Sequence, residues 1–352
     1  MATHPSGDHG AVQRAHALFS FFDRSGIPWA VVGDSSDLDH AIRSDVDIVI
    51  DPGSLGRVPG LMDEFARSCG ARLIQALRHE AVACYYVLAW RSDDGIGFLH
   101  PDICGDWWRG GRPFIDAGTM LDQRIRDDAG FMRPSPGRNA VYYLLKRLSK
   151  GALDPARCAF IAREWNAEPD IAHSLATRCV PERADALHQA CLTGDWSAIL
   201  ADLPAWSRAI DGGFAPGLSE RSGDLTRRVG RVLHPTGLLV DVGGGFTADA
   251  GAAFLARWSR AFRRTRVAPA GGATAALRMW PTLARSTLIL RPTTMVAQSR
   301  RSWNGTRLAV HAGAWSDGSV DQLMLETLAW RVHALLGIAS APSAVIAGLG
   351  VG

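Results

Sequence analysis

Two aspartates separated by one residue, Asp45 and Asp47, stand in the β-branched run Asp45-Val46-Asp47-Ile48-Val49-Ile50. In an extended strand residues i and i+2 point to the same face, so both carboxylates project together. Two carboxylates aimed at one point repel each other and lose hydration unless a cation lies between them. Magnesium, which takes one or two carboxylates together with phosphate oxygens, meets that need. Upstream, the apolar run Trp29-Ala30-Val31-Val32 ends in Gly33, and the hydroxyls of Ser35 and Ser36 follow. A glycine at that point lets a phosphate approach the backbone, with N–H groups and serine hydroxyls as donors.

This arrangement resembles the nucleotidyltransferase superfamily, the polymerase-β-like fold, whose pattern is an apolar residue, Gly, Gly or Ser, an interval, and Asp-apolar-Asp-apolar. Here it reads Val32-Gly33-Asp34, ten intervening residues, then Asp45-Val46-Asp47-Ile48. The chain departs from the pattern at Asp34, which leaves Ser35 to supply the hydroxyl. The resemblance implies Mg2+, a nucleoside triphosphate, and a hydroxyl of a small molecule or glycan as acceptor. It implies a third carboxylate on a later strand, here Asp102 in Phe98-Leu99-His100-Pro101-Asp102-Ile103, holding metal or acting as base. Asp45, Asp47 and Asp102 would be the catalytic and metal-holding set, and Gly33, Ser35 and Ser36 would cradle phosphate. In such sites paired metals clamp the attacking and leaving oxygens of an in-line displacement at phosphorus. The family also draws a basic residue for the triphosphate from a helix after the catalytic sheet. Lys146 is the first candidate and Lys150 the second. They are the chain's two lysines among 38 basic residues, and four positions apart on a helix they share one face. A lone Asp-x-Asp also ends many solvated strands, and it grips nucleotide sugars in metal-dependent glycosyltransferases. The glycine turn, the spacing and the third carboxylate set this one apart.

His100 shares the face of Asp102 and reads as a structural histidine or a hydrogen-bond donor to a ligand. The run Asp106-Trp107-Trp108-Arg109-Gly110-Gly111-Arg112 offers rings and guanidinia for a sugar or base, or else core and loop caps.

The elements that must carry these groups follow from periodicity. An amphipathic helix is expected over 11–24, strands over 29–32 and 45–50, a helix over 55–68, and strands over 81–90 and 97–104. That succession makes a mixed α/β sheet. From Asn139 helices are expected over 139–150, 155–165, 168–179, 183–192 and 196–203, a small bundle. The Gly-rich stretch 211–223 reads as a linker. Beyond it come a buried strand, 237–242, a glycine turn, a helix over 249–264 ending in Arg257, Arg260, Arg263, Arg264 and Arg266, strands over 286–290 and 308–310, and a helix over 322–336. The expected organisation is therefore α/β: a mixed-sheet nucleotidyltransferase-like domain (1–135), a helical region (136–210), a linker (211–224) and a second, smaller α/β domain (225–352). The turn Gly243-Gly244-Gly245-Phe246-Thr247-Ala248-Asp249 sits where a phosphate-binding loop would, but lacks its lysine and carries an acid. The stretch 237–264 resembles the thymidylate-kinase-like domains fused behind nucleotidyltransferase-like domains in bacterial polysaccharide-cluster proteins, in a degenerate form.

Composition bounds the function. The chain has 352 residues, 38 basic and 35 acidic, a net charge of +3 that excludes a dedicated non-specific nucleic-acid surface. No apolar run reaches the roughly 18–20 residues of a membrane span, and the N-terminus lacks the charged-then-apolar order of a secretory signal. Six scattered cysteines without Cys-x-x-Cys pairs fit reduced thiols and a cytoplasmic setting. The leading expectation is a magnesium-dependent nucleotidyltransferase. The alternative is a non-catalytic nucleotide-binding or scaffold protein with a protein partner, its two nucleotide folds decayed. A glycosyltransferase is third.

Overall fold

A computed structural model describes residues 7–338 except 81, 94, 110–111, 212–217, 244–246, 269–278, 294–299, 303–304 and 311–318. Helix α1 (Gly7–Ser25) buries Ala11, Ala15, Leu18, Phe19 and Phe22, which recur at helical spacing. Strands β1 (Trp29–Val31) and β2 (Val46–Ile50) follow, then a 3-10 turn over Pro52–Arg57 and helix α2 (Val58–Ser68). Next come β3 (Arg72–Arg78), β4 (Ala83–Ser92), β5 (Gly95–Leu99) and β6 (Pro101–Cys104). They form one mixed sheet in the order β1-β2-β6-β4-β3, with β5 also paired to β4. The β2–β6 pair is parallel and the others antiparallel.

Side-chain alternation sorts this sheet into two unlike faces. Val46, Ile48 and Ile50 of β2, Tyr86, Leu88 and Trp90 of β4 and Ile103 of β6 form one core with α1 and α2. The opposite face is shared. Val49 belongs to the core of the helical region, whereas Ile74, Val87, Ala89 and Phe98 belong to the core of the C-terminal region. Asp47 and Asp102, directly side by side on β2 and β6, occupy this second face where its two apolar coverings part.

Two short ribbons, β7 (Trp107–Arg109) with β8 (Arg112–Ile115) and β9 (Ile125–Arg126) with β10 (Met132–Arg133), flank α3 (Ala117–Leu121). The helical region is α4 (Pro136–Ser149), α5 (Pro155–Ala167), α6 (Pro169–Cys179), α7 (Ala184–Thr193), α8 (Ser197–Ala201) and α9 (Leu203–Asp211). Prolines in the first turns of α4, α5 and α6 suit positions whose N–H has no helical partner. The expected linker is corrected in its second half, since α10 (Leu218–Leu233) is helical from Leu218. Its apolar residues Leu218, Leu225, Val229 and Val232 recur along the helix, and that recurrence outweighs the Gly and Ser content. Residues 212–217 of the expected linker lie outside the described residues.

The second sheet contains β11 (Leu238–Val242), β12 (Arg264–Val267), β13 (Thr287–Pro292), β14 (Arg300–Arg301) and β15 (Arg307–Val310), ordered β12-β13-β11-β15-β14. All pairs are parallel except β14–β15. Helices α11 (Ala248–Trp258), α12 (Trp280–Leu283) and α13 (Val320–Leu336) accompany it. The expected helix over 249–264 stops at Trp258. Thr265 alternates with Arg264 and Arg266 on strand β12, so these two arginines are not on a helix end. At the centre Asp241, buried, is clamped by Arg291 at 2.5 Å and by Arg307. Gly244, Gly245 and Phe246 of the expected phosphate-loop turn lie outside the described residues. The Thr247 hydroxyl caps α11 by accepting from the Ala250 N–H at 3.2 Å. Helix α13 returns to the first sheet, where His333 meets the buried Asp63 of α2 at 2.6 Å and Val332 enters the core under α1.

The turn after β1 is fixed from α4. Gly33 has φ +91°, and a Cβ there would stand 3.1 Å from the Tyr143 ring. The Gly33 N–H donates to Asn139 Oδ1 at 2.7 Å, and Asn139 Nδ2 donates to the Gly33 carbonyl at 2.9 Å. Both groups are buried, so Asn139→Ala leaves a donor and an acceptor without partners. Thermal and urea melts of this variant are expected to show a loss of about 2–4 kcal/mol.

Candidate active site

The carboxylates of Asp45, Asp47 and Asp102 each place an oxygen within 4.8 Å of the others. Asp45 is exposed just ahead of β2, while Asp47 and Asp102 retain side-chain exposures of 23% and 20%. Parallel pairing of β2 and β6 puts Asp47 opposite Asp102, and the Val46 N–H donates to the His100 carbonyl at 2.9 Å. The Val32 N–H donates to the Asp47 carbonyl at 3.0 Å, so the Gly33 turn is held against the same strand.

Burial is the main influence on Asp102. It lifts the carboxyl from 3.8 to about 6; His79 and Lys146 pull it down, and Asp47 and Asp45 push it up. Asp102 Oδ1 is buried and accepts no hydrogen bond among the described residues, and the His79 Nε2 stands 3.6 Å away. Three carboxylates with one such oxygen form a hard, all-oxygen donor set, which fits a divalent cation of the magnesium class. Lys146 competes for the same charge, for its Nζ lies 2.8 Å from Asp47 Oδ1. Burial opposes the ammonium, but Tyr142 and Asp47 outweigh it, and the pKa of Lys146 rises.

Three clefts open onto these carboxylates. The first, about 460 Å³, lies beside Asp45 and is lined by Ser36, Arg43, Tyr143, Arg147 and Arg157. Arg43 and Arg157 are paired with Asp37 and Asp154, whereas Arg147 lies over the Tyr143 ring at 4.7 Å and has a buried Nε without a partner. The second, about 310 Å³, lies over Asp47 and Asp102, with Trp107, Tyr142, Lys146 and Lys150 around it. The third, about 420 Å³, lies beyond Asp102, lined by His79 and Tyr85 and by three arginines of the C-terminal region.

The structure therefore brings Asp45, Asp47, Asp102 and Lys146 together and sets Lys150 on the rim of the same cleft. The glycine turn is arranged differently from the expectation. The Gly33 N–H is occupied by Asn139. Both the amide and the hydroxyl of Ser36 donate to Asp34, at 3.2 and 2.7 Å. Ser35 is half-buried on that turn. His100 is buried, its ring tilted against Tyr85 at 5.8 Å and stacked on Phe98 at 6.1 Å. Burial first, and Arg260 second, lower its pKa to about 4, so it is a neutral packing group at pH 7. Asp106 accepts from the Ala117 N–H at 2.8 Å, and Trp107 packs edge-on against Phe114 and Tyr142, so these two residues are held by the fold. Gly110 and Gly111 lie outside the described residues.

His79, Asn139 and Arg147 are the site residues that sequence reasoning did not select. His79 follows β3, an element the periodicity did not reveal. Asn139 carried a usable signal, a polar residue heading the apolar run Ala140-Val141-Tyr142-Tyr143-Leu144-Leu145.

No family model and no curated protein matches the chain. Among solved structures, it is similar to an antigenic nucleotidyltransferase-like protein from Paracoccidioides brasiliensis, at 13% identity over 52% of this chain and 94% of that one, with a TM-score of 0.33. It is also similar to JHP933 from Helicobacter pylori, at 12% identity over 64% and 98%, with a TM-score of 0.29.

Because the folded-state pKa of Asp102 exceeds its unfolded value, the folded protein binds more protons between about pH 4 and 6, and stability falls as pH rises through that window. Asp102→Asn removes this cost. In metal-free buffer its melting temperature is expected to exceed that of the wild type at pH 7.5 by about 2–4 °C. The gap should narrow steadily as the pH is lowered toward 4.

Proposed function

We propose that the chain is a metal-dependent nucleotidyltransferase that moves a nucleoside monophosphate from a triphosphate to a hydroxyl. The observation that carries this reading is the meeting of Asp45, Asp47 and Asp102 within 4.8 Å, with a buried Asp102 oxygen that accepts no hydrogen bond. Asp45, Asp47 and Asp102 would hold the ion. A bound Mg2+ would neutralise polyphosphate charge and make the phosphorus more electrophilic.

The remaining roles belong to the chain's own side chains. The cleft beside Asp45 receives the polyphosphate, where Ser36 and Arg147, which pairs with no carboxylate among the described residues, face it. This assigns to Arg147 the phosphate contact that the sequence suggested for Lys146. Lys146 keeps Asp47 charge-balanced and Lys150 adds positive charge at the rim. The acceptor oxygen bonds to the α-phosphorus, the bond from that phosphorus to the bridging oxygen breaks, and pyrophosphate leaves. Asp102 takes the hydroxyl proton. The mostly parallel second sheet, a degenerate kinase-like unit whose α11 N-terminus carries the Thr247 cap and Asp249, serves as a wall of the site. A cytoplasmic role in glycan assembly fits a glycan hydroxyl as acceptor. No helix among the described residues is long and apolar enough to cross a membrane.

One observation favours the second reading, a non-catalytic nucleotide-fold protein: Lys146 already balances Asp47 without any metal. Calorimetric titration of Mg2+ with each nucleoside triphosphate tests the site, and pyrophosphate release from any nucleotide that binds separates the two readings. Asp45→Asn is the informative variant, because Asp45 is exposed, whereas Asp47→Asn would strand the buried end of Lys146 and destabilise the fold. Expected is magnesium-dependent nucleotide binding weakened by about tenfold or more in Asp45→Asn, a change of roughly 1.4 kcal/mol or more. Absence of binding in the folded wild type overturns the transferase reading and leaves the scaffold form of the second.

A further inference from the structure

The cleft beyond Asp102 differs in charge from the two beside it. The cleft next to Asp45 sets Arg43, Arg147 and Arg157 against four carboxylates, and the one over Asp47 carries Glu80 and Asp106 besides the site aspartates. The third cleft has Arg260, Arg263 and Arg285 on one wall, and Asp102 is the only carboxylate among its lining residues. Among the described residues none of these arginines pairs with a carboxylate. The Arg260 Nη2 instead donates to the Ile42 carbonyl at 3.3 Å, ahead of the Asp45 strand.

The wall is also held in place. Buried Gln75 of β3 donates to the Ala261 carbonyl, tying the Ser259–Ala261 turn to the first sheet. The Arg263 N–H donates to the Ser286 carbonyl at 2.9 Å, and the parallel pairing of β12 with β13 continues from there, at Arg264 opposite Thr287. The two segments bearing Arg263 and Arg285 are thus fixed beside each other, which lowers the ordering cost of binding an anion between them. Guanidinium groups match phosphate oxygens in pairs, and about 420 Å³ accommodates a compact ligand of monosaccharide size.

We propose that this cleft binds the acceptor, and that the acceptor is a small polyhydroxyl compound bearing a phosphate ester. The ester lies on Arg260, Arg263 and Arg285, and a hydroxyl of the same molecule reaches toward Asp102. The assignment of this ligand as acceptor rests on the nucleotidyl-transfer reading; its binding does not.

The test uses the full chain with glucose 6-phosphate as probe, glucose as the uncharged control and glucuronate as the carboxylate control, each by calorimetry without nucleotide. Arg263→Ala/Arg285→Ala is the main variant, since Arg260 also serves the backbone at Ile42. Expected is saturable binding of glucose 6-phosphate, weakened at least tenfold in the double variant and at least tenfold weaker for glucose and glucuronate. Absence of probe binding, or binding indifferent to the double variant when circular dichroism shows it folded, overturns the site. If the variant does not fold, Arg285→Gln alone, expected to weaken binding at least threefold, decides by the same criterion. Equal binding of glucuronate overturns the phosphate-ester assignment. If probe binding behaves as expected while the wild type binds no magnesium nucleotide, the anion site stands and nucleotidyl transfer falls.

Discussion

Three carboxylates converge on a sheet face that is otherwise apolar, and the surrounding architecture follows from the need to offset their charge. Asp47 and Asp102 cannot move apart, because the parallel β2–β6 ladder fixes them opposite each other. Their mutual repulsion and lost hydration must be offset locally. In the protein itself Lys146 and His79 provide part of that offset, one from α4 and one from the end of β3. The remainder shows as the raised pKa of Asp102. Perturbed carboxylates and local disagreement with folding rules are characteristic of functional sites.

The cost is contained by the way the sheet is covered. One face is continuously apolar and rests on α1 and α2. The other is covered by two separate bodies, the α4 bundle and the C-terminal sheet, and the carboxylates lie where neither reaches. Each body then contributes a charged wall. Helix α4 brings Lys146 and Arg147, and the C-terminal region brings Arg260, Arg263 and Arg285. The Asn139 clamp on Gly33 links the glycine turn to the helix that carries Lys146 and Arg147, so the turn and these two cations are referenced to one rigid element.

Much of this was legible in the chain. The β-branched run after Asp45, the amphipathic stripe of α1 and the proline-started helices of the bundle read correctly because each element follows one periodicity. Strand β3 did not. Its run Leu73-Ile74-Gln75-Ala76-Leu77 mixes helix-favouring residues with a buried glutamine, and a register shift between Leu73 and Gln75 breaks the period of two. Losing β3 also hid His79. Arg264 and Arg266 looked helical because charge spacing alone does not distinguish a helix end from a strand whose Thr265 faces the other way. The clamp of Asn139 on Gly33 joins positions 106 apart, a pairing that a single sequence does not disclose.

The divided sheet face also constrains how the protein can be made. Ile74, Val87, Ala89 and Phe98 are made well before the residues that cover them, Trp258, Leu290 and Leu328 among them. Until then the nascent chain presents an apolar half-face on the ribosome, the kind of surface that chaperones hold and that aggregates when left bare. The same delay keeps the carboxylate cluster without Arg260, Arg263 and Arg285 until the C-terminal sheet has been made.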